Sequence, residues 1–384
     1  MRSFKVFNSV YIVIFLFGLV SFFGDIVYEG AKSILGQYMF FLGASAFAIG
    51  LVAGLGEFIS FAFRIFFGYL ADIKKSYWIM VIIGYGLLIS VSLIYFASVW
   101  QMVALFFLLE RLGKAIRTPS RDFLVSVVSS KFGIGKTFGI HEFIDQLGAI
   151  IGPALLGYIL LIKGYKEAFL FLFIPAFLCL LLIFYTKFIY DKNVGDFFEQ
   201  TRSDEKFGFN RYFYLYLLSS FFIALGYSDF VIIAYHVKVN SLTSDSFIPL
   251  IYSLAMFVDA VFALFFGFWY DRNGKVVILL GFLGVIVFPF LVFSTSFWFL
   301  IIGVVLWSIG KGLQESVLKA GISNFVKISG KSFGMFYFFY GLGCFLGSSI
   351  IGYLYEISIY WVMFFSFVSQ LIAVFILYYL TIKV

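Results

Sequence analysis

Charge is what this sequence lacks most. Of its 384 residues, 12% are charged and 63% hydrophobic, against roughly 25% and 45–50% in soluble domains. No soluble fold hides that much apolar surface behind so few charges. A soluble enzyme, a nucleic-acid reader and a disordered chain are therefore excluded. Cysteine and histidine are nearly missing, at two each. Cys179 and Cys344 both lie in apolar runs, make no metal site and say nothing about redox compartment. With so few ligands, neither a metal nor a cofactor is expected.

What the chain has instead is long, continuous apolar runs. The mean hydropathy of +1.05 indicates a polytopic membrane protein. A membrane β-barrel needs stretches of about ten residues alternating in polarity, whereas these runs are unbroken and about twice as long. The prediction is all-α, with twelve transmembrane helices. They are placed at 7–29, 44–71, 77–97, 100–127, 137–162, 166–188, 211–235, 246–270, 276–295, 297–321, 332–355 and 359–381. The first run, about Val6 to Gly24, is too long for a signal core, has no small-residue cleavage site and reads as a retained helix. The 57 Phe read as lipid-facing surface.

Loops are short except for 189–210, which mixes both charge signs and reads as a cytoplasmic linker. It divides the chain into an N-terminal six-helix half, 1–188, and a C-terminal six-helix half, 211–384. The net charge is +7, which in a membrane chain orients helices and does not imply nucleic acid. With the N-terminus inside, cytoplasmic segments hold sixteen Lys and Arg, and outer segments hold four: Lys32, Lys163, Lys166 and Lys238. Both termini are expected on the cytoplasmic side of the cell membrane.

The halves repeat. Gly68-Tyr-Leu-Ala-Asp72 matches Gly267-Phe-Trp-Tyr-Asp271, and Gly113-Lys114 matches Gly310-Lys311. Gly135-Lys-Thr-Phe-Gly139 matches Gly330-Lys-Ser-Phe-Gly334, and Gly148, Gly152 and Gly157 match Gly343, Gly347 and Gly352. Six spans per half is an even number, so the repeat is parallel about an axis along the membrane normal, with a cavity between the halves.

These motifs resemble the major facilitator superfamily of secondary transporters over essentially the whole chain. Its loop motif, Gly-x-x-x-Asp-Arg-x-Gly-Arg/Lys, is similar to Gly267 through Asp271, Arg272, Gly274 and Lys275. The first copy, from Gly68 and Asp72, loses the Arg and the second Gly. The resemblance implies a latch that breaks as the halves rock; the plainer alternative is a loop that packs and orients. Span five carries Gly148-x-x-x-Gly152-Pro153-x-x-x-Gly157, which resembles the family's antiporter motif with Leu156 in place of a Gly. It favours export by exchange, or else it is ordinary close packing between helices.

Charges inside spans cost roughly 2.5–3.5 kcal/mol each on insertion scales, so they pair, face water or function. Asp25 and Glu29 share a face of span one with Tyr28, toward its outer end, as proton sites or as a hydrated helix end. Glu57 and Arg64 lie seven apart on one face of span two, lining a cavity or pairing internally. Span four holds a basic stripe of Arg111, Lys114, Arg117 and Arg121. Its partners are expected in span five, at Glu142 and Asp145, with Arg111 and Lys114 nearer the cavity. Lys311, Glu315 and Lys319 in span ten self-pair four apart. Asp229 and Asp259 complete the candidates; Asp259 is expected to be a lone midspan carboxylate suited to proton coupling.

The expectation is a secondary transporter, not an enzyme, moving a small-molecule substrate by alternating access with protons as the coupling ion. Efflux of a small organic molecule comes first, uptake of an organic anion second. No Gly-x-x-x-x-Gly-Lys-Ser/Thr loop occurs, so ATP drive is not expected. A monomer in the bilayer, without nucleic acid, is the expected state.

Overall fold

The computed structural model describes residues 2–129, 134–193, 210–326 and 330–383. Side chains are described for 12–128, 141–192, 210–326 and 331–383. The chain crosses back and forth as α1 (Arg2–Phe41), α2 (Ala46–Lys74), α3 (Tyr77–Phe96), α4 (Trp100–Ser129), α5 (Ile134–Lys163) and α6 (Tyr165–Lys192). A second set follows as α7 (Arg211–Val239), α8 (Ile248–Asn273), α9 (Val276–Val292), α10 (Phe297–Leu318), α11 (Gly330–Ile357) and α12 (Ile359–Lys383). Most of the expected linker, and the motif side chains at 135–139 and Gly330, lie outside the described residues. Residues 189–192, counted as linker from sequence, continue α6.

The long apolar runs form helices because each backbone polar group must be satisfied within its own segment in lipid. Helix starts are capped where the chain emerges: Ser45 accepts from the Ala48 N–H and Asn210 from the Phe213 N–H. Breaks follow identifiable residues. α3 breaks after Gly86, α9 restarts at Phe288 with Pro289, and α7 breaks at Tyr227–Asp229. Lys75 and Gly274 hold equivalent places after the two loop motifs, and both have positive φ, 49° and 59°. The first copy therefore puts Lys where the second uses Gly, the residue that adopts this region without steric cost.

Span one departs most from expectation. The sequence places its end at residue 29, but α1 continues to Phe41, and its apolar span covers Ile12–Phe41. Asp25 and Glu29 therefore sit near midspan, and Lys32, counted among outer-loop residues, is buried inside the protein. The charges interrupt the hydropathy pattern without ending the helix, because partners on other helices satisfy them.

Glycines set the packing, and the two sets use them alike. Gly148 meets the backbone of α1 at Phe22, and a Cβ on Gly152 would lie 2.7 Å from the Ile26 carbonyl oxygen. In α11, Gly343 and Gly347 meet α7 in the same way, at Phe221 and Leu225. One turn or more further on, Gly157 approaches Ser246 of the loop leading into α8, and Gly352 approaches Ala46 of α2, so α5–α8 and α2–α11 are equivalent seams between the sets. Gly36 of α1 also packs directly on Val231 of α7. Outward faces carry large exposed apolar side chains, such as Phe268, Trp298, Tyr360 and Phe375, as lipid contact requires.

Candidate functional site

Two connected chambers lie between the helix sets. The larger, about 280 Å³, runs toward the face that carries the N-terminus; Arg64, Val125, His141 and Lys319 line it. The smaller, about 110 Å³, lies deeper, and the two share Glu29, Phe61, Lys114, Lys311, Gln314, Glu315 and Tyr340. Beyond the deep chamber the sets are held together.

The deep chamber is organised by Lys32. Its ammonium is 2.9 Å from Glu57 Oε1 of α2 and 2.8 Å from Asp229 Oδ2 of α7. Asp229 is placed there by the break in α7, where its other oxygen caps the Val231 N–H at 2.9 Å. Tyr28 donates to Glu57 Oε1 at 3.3 Å. A second tie between the sets is the Tyr252 hydroxyl donating to Glu29 Oε2 at 2.6 Å. Taking such charges out of water is costly, so removing one partner of a buried pair costs about 3–5 kcal/mol.

On α4 the basic stripe is satisfied mainly by its own helix. Arg111 and Glu110 pair, both fully buried, and Arg117 reaches the same carboxylate at 3.2 Å. Arg117 also donates to the Gly84 carbonyl of α3 at 3.2 Å. Arg121 pairs with Asp122 at 2.9 Å and donates to Ser21 Oγ at 3.1 Å. The expected pairing with Glu142 and Asp145 of α5 is not formed; both acids face the larger chamber instead. The reason is Glu110, whose depth on α4 lets one carboxylate serve two arginines.

Nine of the eleven sequence-derived cavity candidates line a chamber: Asp25, Tyr28, Glu29, Glu57, Arg64, Lys114, Asp145, Asp229 and Lys311. Two do not. Arg111 lies behind Tyr28, its guanidinium 3.5 Å from that ring's centroid. Asp259 is fully buried and neither lone nor in the cavity, because Lys311 of α10 reaches it at 3.3 Å. Lys311 also meets Glu315 at 3.3 Å, as expected from their spacing. Arg64 donates to the Ser60 carbonyl at 2.9 Å and lies over Phe61 and Tyr337, with no carboxylate in ion-pair range among the described residues. Lys32, Tyr252, Gln314 and Tyr340 were missed. For Lys32 the signal was there, at four-residue spacing after Tyr28 and three-residue spacing after Glu29.

Asp72 accepts from the Tyr77 hydroxyl at 2.9 Å within its own loop, and Asp271 and Arg272 are exposed. Gly68 packs on Pro119, but Gly267 has open space around it, so the close approach expected there is not made. Gly148, Gly152 and Gly157 of the antiporter-like stretch face neighbouring helices, and Pro153 lies inside α5.

The model of the Major Facilitator Superfamily matches residues 10–243 and 208–383. An uncharacterised protein of Mycobacterium bovis is 33% identical over 355 residues, covering 90% of this chain and 87% of its own. An uncharacterised MFS-type transporter of Methanocaldococcus jannaschii is 28% identical over 370 residues, covering 90% and 89%. Among solved structures, the nucleoside transporter NupG superposes with a TM-score of 0.76 at 16% identity, covering 96% of this chain and 99% of that one. A bacterial homolog of the human lysosomal transporter Spinster, in an inward-facing and occupied conformation, gives 0.75 at 15%, covering 97% of both. These likenesses at low identity speak for the fold, while the family match and the 33% relative speak for descent: the chain belongs to the major facilitator superfamily, as a multi-pass membrane transporter of a small solute and not an enzyme.

Proposed function

We propose that this transporter couples protons to the export of a small charged organic solute across the cell membrane, working as a monomer with both termini in the cytoplasm. Orientation rests on the basic bias: with Lys32 now inside the protein, three outer Lys remain against sixteen cytoplasmic Lys and Arg. On that orientation the larger chamber opens to the cytoplasm. The division into 1–188, a linker at 189–210 and 211–384 fits two bodies that rock about the chambers, as alternating access requires.

The observation that carries the reading is the pair Asp25 and Asp145. Both face the larger chamber, and no cation lies within ion-pair range of either among the described residues. A carboxylate within a membrane span and without a bonded cation must be answered by a proton, water or a cationic solute. This moves the coupling role from Asp259, which Lys311 neutralises, to Asp25 with Asp145. Export rests on the α5 stretch, through Pro153; its glycines pack as their α11 counterparts do and no longer favour export. A second reading, uptake of an organic anion, is favoured by Lys114 and Arg64, cations on the chamber without a carboxylate partner among the described residues.

Reconstituted protein under an imposed pH gradient tests this. Solute should move against its own gradient, opposite to the proton flow, and Asp145→Asn should abolish accumulation while leaving exchange. Movement in the same direction as the protons would select the uptake reading, and flux indifferent to pH would overturn the coupling.

A further inference from the structure

Of the four basic residues on the α4 stripe, Arg111 and Arg117 hold Glu110, and Arg121 holds Asp122. Lys114 alone has no carboxylate in ion-pair range among the described residues. It is held over the Tyr28 ring, 3.6 Å from the centroid, at the junction of both chambers. Asp25 lines the larger chamber with it. Neither has an ion-pair partner of opposite charge among the described residues. Yet they are beyond the 4.0 Å of an ion pair. Two opposite charges thus share one chamber without closing on each other.

Separated charges within membrane-spanning helices are each costly until answered. A simple cation at Asp25 would leave Lys114 unanswered, and a simple anion at Lys114 would leave Asp25 so. A solute that carries both signs answers both. The larger chamber, about 280 Å³, is at the small end of ligand pockets. Resting on the transporter reading above, we propose that the solute is a small zwitterion, with its ammonium at Asp25 and its carboxylate at Lys114.

The test uses purified full-length protein and the free proteinogenic amino acids as probes. Each is compared with its methyl ester, which keeps only the cation, and its N-acetyl form, which keeps only the anion. Thermal stabilisation followed by calorimetry should find at least one free amino acid that binds about tenfold to hundredfold more tightly than both derivatives. Lys114→Gln should weaken that ligand to the level of its ester, Asp25→Asn to the level of its N-acetyl form. Lys114→Arg should keep binding, which shows that the fold tolerates change at this place. Derivatives that bind as well as the parent, no binding by any free amino acid, or a Lys114→Gln variant with unchanged affinity would each overturn the proposal. If an ester or an N-acetyl form is transported and the zwitterion is not, only the substrate class fails. If nothing is transported under any gradient, the transporter reading itself fails.

Discussion

Asp259 and Lys311 hold one buried charge pair between α8 and α10, and Glu315 shares the lysine. Lys311→Gln leaves the fully buried Asp259 with no cation, so it should cost about 3–5 kcal/mol of stability. Adding Asp259→Asn to Lys311→Gln should recover most of that loss. Thermal unfolding of the single and double variants in detergent checks it; equal losses would mean the pair is not coupled. The charged residues themselves were legible, because a charge in an apolar run must have a task. Their partners were not. Periodicity says which residues share a helix face, as for Lys311 and Glu315, but not what the neighbouring helix presents. Asp259 therefore read as lone, and the partner of Arg117 was sought on α5 when it lay on its own helix, at Glu110.

At the scale of helices, the glycine register was the most informative part of the sequence. It located the repeat, and the structure uses Gly148 and Gly343 for the same job, close backbone contact with α1 and α7. Gly148→Ala and Gly343→Ala should each lower stability by about 1–3 kcal/mol, since the added methyl meets backbone that cannot move aside. Gly267→Ala should leave stability unchanged, because space is open there. Melting curves of the three variants separate packing glycines from the loop-motif glycine; an equal loss at all three would contradict the assignment. The end of α1 was illegible for a physical reason. Hydropathy reads a lysine as a boundary, and Lys32 is instead neutralised within the membrane by Glu57 and Asp229 from two other helices.

Across the whole molecule, Lys32 ties α1 and α2 of one set to α7 of the other, and Tyr252 adds a tie from α8 to α1. These contacts hold the sets together beyond the deep chamber, on the side away from the N-terminus. Alternating access then requires the Lys32–Asp229 contact to break as the other face closes. The most direct measurement is of two spin-label distances in a background lacking Cys179 and Cys344. One pair, at Lys74 and Asn273, spans the N-terminal face; the other, at Ser98 and Thr295, spans the opposite face. With Lys32→Gln, the first distance should shorten and the second lengthen relative to the native lysine. Two distances that stay unchanged, or that change in the same direction, would contradict a transporter gated by this buried contact.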